Sequence, residues 1–448
     1  MVAVQAFGGL PTLFDSRGDN DNLLRLVQIR DLLAGQAWSD LHQYRMGPDG
    51  GFIMHWSRIV DAPVAGIIIL VSALTGSAAL GEAVAAVLWP ALLFAAALFL
   101  IVRIARSLYG PDVLLPALLI GAITLNFMGI FTPRAFDHHN LQLVMALAAT
   151  ALLLAPGWKS AAFAGLCCSA MLAIGLETLP YVAVIGLFVA LAFLITGTAW
   201  VQAAAGFGGG FALSGLAALL ATVPPQSWWS DRCDAYSAGL ALVAIAAGLG
   251  LAAPASLTAR RGPGARILAL ALLGAAVGIV AIVLVAQCFG DPYAGLDPRL
   301  RSFWLDDVVE APPLWGVLEK KPEMAPQHYI TALLALVLLG LDLKRGGVRH
   351  GKVLLACVLA TAFAVSTWQV RGSTFSLPFA VVPLAAWVAT WRRAAASGAK
   401  GASARMAAAW LVSLSVTWSA AAYGLAGMLG KDASSEFPMA SAGPSAGD

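Results

Sequence analysis

The stretch "VLLPALLIGAITLNFMGIFTPRAFDHH", residues 113 to 139, decides how the chain is read. From Val113 to Pro133 there is no charge, and then Arg134, Asp137, His138 and His139 fall together. An uncharged run of about 18 residues or more is long enough to cross a bilayer as a helix. Ionisable groups at the edge of such a run are costly next to hydrocarbon, and they usually serve a function.

Working outward, the same apolar pattern recurs along the chain. The 448 residues are 60% hydrophobic and 11% charged, with a mean hydropathy of +0.81. A soluble domain of this size needs far more charge to cover its surface. The expected fold is an all-α polytopic membrane protein. Candidate spans lie near 83–107, 113–130, 140–156, 161–177, 179–197, 205–223, 237–255, 267–287, 328–343, 353–367, 374–391 and 404–428. These twelve become thirteen if "MVAVQAFGGLPTLF", residues 1–14, is the remnant of a first transmembrane helix. That segment has no basic n-region and no cleavage site, and at about 1.5 Å per residue it is too short to span. Residues 15–82 read as a large first extracytoplasmic loop, 83–430 as the transmembrane helical domain, 288–327 as a second long extracytoplasmic loop, and 431–448 as a disordered tail.

Charge assigns the sides. Alternate connections hold Arg103 and Arg106, Lys159, "ARRGPGAR" (259–266), "LKRGGVRHGK" (343–352) and "WRRAAASGAK" (391–400), with Asp112 and Asp342 as their acids. By the positive-inside rule this set is cytoplasmic. The other set, with nearly all the Asp and Glu, is then extracytoplasmic, as in a bacterial-type inner (plasma) membrane. The net charge of +3 points to no nucleic-acid partner. Cys167, Cys168 and Cys357 lie in apolar runs and read as packing residues. Cys233 and Cys288 lie in polar loops of one side, where a bridge and two free thiols are both open. "FGGGF" (207–211) reads as helix packing rather than a phosphate loop.

Three acidic groups share the extracytoplasmic side. "DND" (19–21) precedes a helical pattern, where Asp21 either pairs with Arg25 one turn on or offers a carboxylate to a cation. Asp137 and His139 form an O/N ligand pair suited to Mn, Zn or Mg, while His138 is read as bonding to headgroups or backbone. "WLDDVVEAPPL" (304–314) carries Asp306, Asp307 and Glu310. Arg371 in "WQVRGS" (368–373) ends a late helix, where snorkelling to headgroups is the plain alternative. "MHWSRIVD" (54–61) places His55 and Arg58 near Trp56; it lines a groove, or Arg58 simply pairs with Asp61.

In order, spacing and sidedness these motifs resemble the catalytic subunit of oligosaccharyltransferase, a GT-C glycosyltransferase. The resemblance covers roughly residues 1–430. That family has thirteen transmembrane helices, and an early DxD or GxD motif that "DND" resembles, with Asp21 at its last position and Asp19 as a weaker candidate. Its second motif is DNE, or DHH in archaeal members, matching Asp137, His138 and His139. Its third is SVSEHQP or TIxE, to which "DVVEAPP" (307–313) is similar, with Glu310 at the Glu. The Ser or Thr, the His and the Gln of that motif are absent. The family's C-terminal soluble domain with its WWDYG motif has no counterpart in the chain, which leaves protein, lipid and polysaccharide open as acceptors.

The resemblance implies transfer of a sugar from a polyprenyl phosphate or diphosphate donor on the extracytoplasmic side. It implies Asp21, Asp137 and His139 as ligands of Mn or Mg, and Arg371 as the contact to the donor phosphate. Asp21 and Glu310 are implied as catalytic, and His138, His55 and Arg58 are further candidates. The alternative is a transporter or flippase of lipid-linked sugars, which calls for broken helices and charges near mid-membrane.

Overall fold

The computed structural model describes residues 20–47, 50–229, 233–290, 299, 311–346 and 349–428. Among them are sixteen α-helices and one pair of two-residue strands. The chain is an all-α polytopic membrane protein.

The N-terminal segment folds against the bundle. Helix α1 (Asn20–Leu33) buries Leu26 and Ile29. The antiparallel pair β1 (His42–Gln43) and β2 (Phe52–Ile53) follows. Ser57 then caps α2 (Arg58–Thr75), its hydroxyl accepting from Ile59 N. Gly76 closes α2 at φ +71°, a conformation that favours glycine. The next helix, α3 (Ala78–Tyr109), has 32 residues and measures about 48 Å, against a hydrocarbon layer of about 30 Å. Its Ala86 carbonyl accepts from Arg134 N (2.7 Å), and its Glu82 pairs with Arg30 of α1 (2.5 Å). The first turns of α3 therefore stand on the face that carries Asp137. Helix α2 has the length and hydropathy of a span, yet it begins beside α1 and the chain is back beside α1 by Glu82. What reads as a loop in the sequence is thus largely helical.

The remaining long helices overlap the candidate spans, three of them as apolar helices shorter than 18 residues. They are α4 (Leu114–Phe127), α5 (His139–Leu153), α6 (Trp158–Ile174), α7 (Leu179–Thr196), α8 (Val201–Thr222), α9 (Ala238–Thr258) and α10 (Pro263–Val285). After the short α11 (Leu314–Lys320) come α12 (Ala325–Gly346), α13 (His350–Trp368) and α14 (Ser373–Ala396). The last apolar segment is bent: α15 (Ala402–Val412) and α16 (Ser415–Met428) meet at 79°. Helix α14 is the central post, and 83% of its most apolar window is buried. Phe379, Ala380, Val382 and Ala385 have no solvent exposure.

Glycine sets the closest packing. A β-carbon on Gly206 or Gly210 of α8 would collide with the Trp158 or Ala162 carbonyl of α6. Gly208 meets Gly248 of α9 backbone to backbone. "FGGGF" is therefore a three-helix contact, since only small residues let membrane helices approach so closely.

The connections alternate between two faces. On one face Asp342 accepts from Tyr109 (3.0 Å) and pairs with Lys352 (2.6 Å), and Asp112 pairs with Arg393 (3.4 Å). Both acids of the basic loops are thus neutralised there. The other face gathers residues 20–47, 50–57, 128–138, 175–178, 223–229, 233–237, 286–290 and 369–372. Cys233 and Cys288 are joined on this face as a disulfide, with Cα atoms 5.2 Å apart.

Candidate metal and phosphate site

The acidic face is organised around His138. The loop after α4 turns through Arg134, a non-glycine residue at φ 69°. Asn140 holds the turn by donating to the Ala135 carbonyl (2.9 Å). Asp137 N donates to the Asn22 side chain (2.8 Å), so the residue next to Asp21 touches the "DHH" loop. Asp21 itself is exposed in the first turn of α1.

His138 lies between two carboxylates. Its Nδ1 is 2.6 Å from Asp137 Oδ1, and its Nε2 is 2.8 Å from Glu177 Oε1. The His139 ring lies tilted against it, 4.4 Å between ring centres. His139 Nε2 is 3.4 Å from Asp137 Oδ2, and its Nδ1 is 3.7 Å from Glu177 Oε1. One ligand atom each from His138, His139 and Glu177 fall within 4.8 Å of one another. Burial alone would push the Asp137 carboxyl up, but His138 and then His139 hold it well below the usual carboxylate range. Burial likewise pushes His138 down, yet Asp137 and then Glu177 raise it to about 9. In the ion-free protein, His138 is therefore the cation that neutralises this cluster.

Two nitrogen donors and one carboxylate suit Mn or Zn, and Mg less well, because Mg prefers oxygen and water. The residues present fit a divalent cation. Glu177 carries no signal in the sequence patterning, because it sits between the apolar runs of α6 and α7. The available cue is a lone carboxylate flanked by Gly175 and Pro180. The helix break at Gly175 turns it back toward His138.

Beneath the cluster lies a buried Arg–Asp–Arg group. Arg25, Arg58 and Asp61 have no exposure. Arg25 reaches Asp61 (3.2 Å) and the Ser57 carbonyl (3.3 Å), with its guanidinium 4.4 Å over the Trp56 ring. Arg25 Nη2 is 3.4 Å from His138 Nδ1. Arg58 pairs with Asp61 (3.1 Å) and donates to the Gln28 and Asp40 carbonyls. Arg58 thus supports the site from below. His55 is half-exposed, 3.9 Å from Asp234.

Arg371 sits in the turn between α13 and α14, steadied by Gln369 Oε1 (2.8 Å). It lines a cavity of about 600 Å³ together with His139 and Glu177, against an apolar wall that includes Leu179, Val365 and Phe375. The structure therefore gathers Asp137, His138, His139 and Arg371 at one end of the bundle. Asp19 and Glu310, with Asp306 and Asp307, lie outside the described residues.

This arrangement of helices has solved counterparts. The oligosaccharyltransferase of Archaeoglobus fulgidus tethered to an acceptor peptide containing the NVT sequon superposes with a TM-score of 0.63, at 14% identity, over 90% of this chain and 51% of that one. The chain has the fold of an archaeal oligosaccharyltransferase. The same enzyme, AglB, in complex with an inhibitory peptide and a dolichol-phosphate superposes at 0.62 and 14% identity, over 90% and 52%. Its complex with Zn and sulfate superposes at 0.57 and 13%, over 90% and 49%. The chain spans about half the length of these oligosaccharyltransferase structures. No protein-family model and no curated protein matches it.

Proposed function

We propose that this chain is an integral-membrane glycosyltransferase of the GT-C type. It transfers a sugar or oligosaccharide from a polyprenyl phosphate or diphosphate carrier to an acceptor outside the cytoplasm. One observation carries the reading: a single cavity joins His139, Glu177 and Arg371 to an apolar wall open between α7 and α13. A lipid phosphate needs this pairing, cationic groups for its head and apolar surface for its tail. The A. fulgidus enzyme was solved with a dolichol-phosphate and with Zn and sulfate, ligands of the same chemistry.

Asp137 and His139, with Asp21, would hold a divalent cation, and Glu177 and His138 complete the donor set. Once bound, such an ion would supply Lewis-acid stabilisation of the departing phosphate. Arg371 adds a permanent charge and directed N–H donors to the same phosphate. Asn22 fixes the Asp137 backbone, which keeps the carboxylate in place while charge develops. Asp21 and Glu310 would orient the acceptor nucleophile and take its proton. The Cys233–Cys288 bridge supports an oxidising compartment for this face. A donor carried by lipid suits a side where nucleotide sugars are not supplied. A conduit for lipid-linked sugars fits less well, because the ionisable groups gather at helix ends rather than mid-depth.

The test is turnover. Purified protein in detergent is given a native lipid extract with Mn or Mg, then with EDTA, beside Asp137→Ala. Metal-dependent loss of polyprenyl-linked sugar in the wild type alone supports the reading. Equal loss in Asp137→Ala would sink the metal site, and no loss under any metal would favour the transporter.

A further inference from the structure

Apolar lining continues past the cavity that holds Arg371. A groove of about 340 Å³ lies between α6, α7, α8, α9 and α10. Among the described residues its walls are Leu, Val, Ala, Phe and Gly, with the Tyr236 ring at one end. Leu176 and Leu179 border this groove and the Arg371 cavity alike. The start of α7, with Glu177 between those two leucines, is therefore a ridge where two apolar grooves meet beside the metal cluster.

Depth narrows the occupant. The groove takes in residues 179–190 of α7 and 240–251 of α9, and both stretches start at the acidic face. Each rises about 16 Å, close to half of a hydrocarbon layer of about 30 Å. A partner's membrane helix crosses the whole layer and needs a seat about twice as long. One acyl chain of a lipid in the leaflet on the acidic side fills half the layer from that same side. Leu179 and Leu187 on the rim are 50% and 57% exposed, so the groove opens sideways toward the bilayer, where such a chain enters.

At the acidic face the groove gains polar neighbours. Tyr236 also borders a cavity of about 410 Å³ in which Asp40, His55 and Gln226 stand beside Ile53, Met54 and Val223. A wall of mixed polarity suits the join between a lipid's chain and its head group. Tyr236 presents its ring to the groove and donates its hydroxyl to the Gly215 carbonyl (3.2 Å), the placement expected of an interfacial tyrosine. Trp56 of that cavity is 6.2 Å, ring to ring, from His138. A head group seated there is next to the cluster.

The outermost wall is stapled in place. Helix α10 has none of its most apolar window buried. Cys288, three residues past the end of α10 at Val285, is bridged to Cys233, three residues before Tyr236. The disulfide holds α10 against the groove's entrance.

We infer that this groove holds the acyl chain of a membrane lipid, and that this lipid is the sugar acceptor. A transferase brings two substrates to one point, and two grooves that fit lipid reach one cluster from two sides of α7. The groove with Arg371, a permanent cation, takes the phosphate donor, which leaves the other for the acceptor. In the transfer, the anomeric carbon parts from the carrier's phosphate oxygen, which keeps the electron pair. The same carbon bonds to a hydroxyl oxygen of the lipid head group, and the hydroxyl proton passes to the carboxylate base proposed above. The acceptor role rests on the proposed function, whereas binding of a chain in the groove does not.

Photolabelling tests the groove. The full chain is placed in phosphatidylcholine vesicles with phosphatidylglycerol that carries a diazirine midway along one acyl chain, and labelled peptides are quantified by mass spectrometry. Label is expected on residues 179–190 and 240–251, and about tenfold less of it in Gly274→Trp, the loss that follows from excluding about two buried methylenes. A β-carbon on Gly274 meets nothing within 4 Å, so the added ring enters the groove without displacing a helix. Ile279→Trp, at a position 62% exposed on α10 and outside the groove, should leave the labelling unchanged. Label spread evenly over the lipid-facing helices, or unchanged in Gly274→Trp, would overturn the inference. Displacement by excess polyprenyl phosphate but not by unlabelled phosphatidylglycerol would overturn it too, making the groove a seat for the donor's tail.

Turnover tests the acceptor. With native lipid extract and Mn, sugar is expected in a chloroform-soluble glycolipid, again about tenfold less in Gly274→Trp. Sugar recovered on peptide or water-soluble polymer alone would overturn the acceptor role. No turnover with groove labelling intact would sink the transferase reading, and the acceptor role with it, while the chain site stands.

Discussion

The two faces of the bundle handle charge in different ways. On the basic face, the Arg393–Asp112 pair is shallow, with side chains 64% and 53% exposed, while Lys352 and Asp342 are 10% and 33% exposed. On the acidic face, Arg25, Arg58 and Asp61 are sealed, and Asp137 and His138 nearly so. Exposed charges near a headgroup layer orient a protein at little cost in either direction. Sealed charges are expensive, and they persist where several partners satisfy them together. What sets the acidic face apart is thus its sealed Arg25–Asp61–Arg58 group and Asp137–His138 pair, which lie beside exposed pairs such as Arg45 with Asp31.

Removing one sealed charge gives the sharpest test. Asp61→Ala leaves two guanidinium groups buried without their carboxylate, and the expected loss is about 3–5 kcal/mol of stability. Thermal unfolding in detergent measures it; a midpoint equal to wild type would erase the contrast between faces. Next is the cluster. Asp137→Ala or His139→Ala should weaken Mn binding by more than about 100-fold, the upper end of what even outer-shell changes produce. Calorimetry reads this directly, and retained affinity would make the cluster a purely structural ion network.

Acidity sharpens the comparison further. His138 is raised to about 9, so below that pH a cation bound through its nitrogen must displace a proton. Mn affinity should therefore rise about tenfold per pH unit toward pH 9 and level off above it. A flat profile in wild type would show that His138 keeps its proton and only props the ligands. In the ion-free protein the sign reverses. A raised imidazole pKa stabilises the fold fully below its unfolded value, and that contribution fades as pH climbs through about 9. Asp137, held low, acts oppositely, and its contribution is lost only as pH falls below the usual carboxylate range. The smallest effect belongs to the basic face. Arg393→Ala should change stability by less than about 0.5 kcal/mol, and a larger loss in the same unfolding assay would mean that the shallow pairs matter.

Much of the bundle is legible in the amino-acid order. Each span from 83–107 to 374–391 overlaps a helix, and 404–428 overlaps a bent pair, because an apolar run of some twenty residues in hydrocarbon must satisfy its backbone locally. "FGGGF" reads as packing and is packing, for the same reason. Other features are hidden. An i,i+4 pair of Asp21 with Arg25 is the local expectation, yet Arg25 reaches Asp61, 36 positions away. The sequence leaves Cys233 and Cys288 open between a bridge and two thiols, and only the fold brings their loops together. Segment 15–82 reads as a loop from its polar first half, although Arg58–Thr75 is an apolar helix.

The sequence by itself determined the membrane class and the division of charge between two sets of loops. Those follow from composition and from the cost of leaving a backbone unpaired in hydrocarbon. Only the tertiary structure decided that Glu177 belongs with "DHH" and that Arg371 shares their cavity. Such meetings depend on which helix ends lie side by side, and chain spacing carries no record of that.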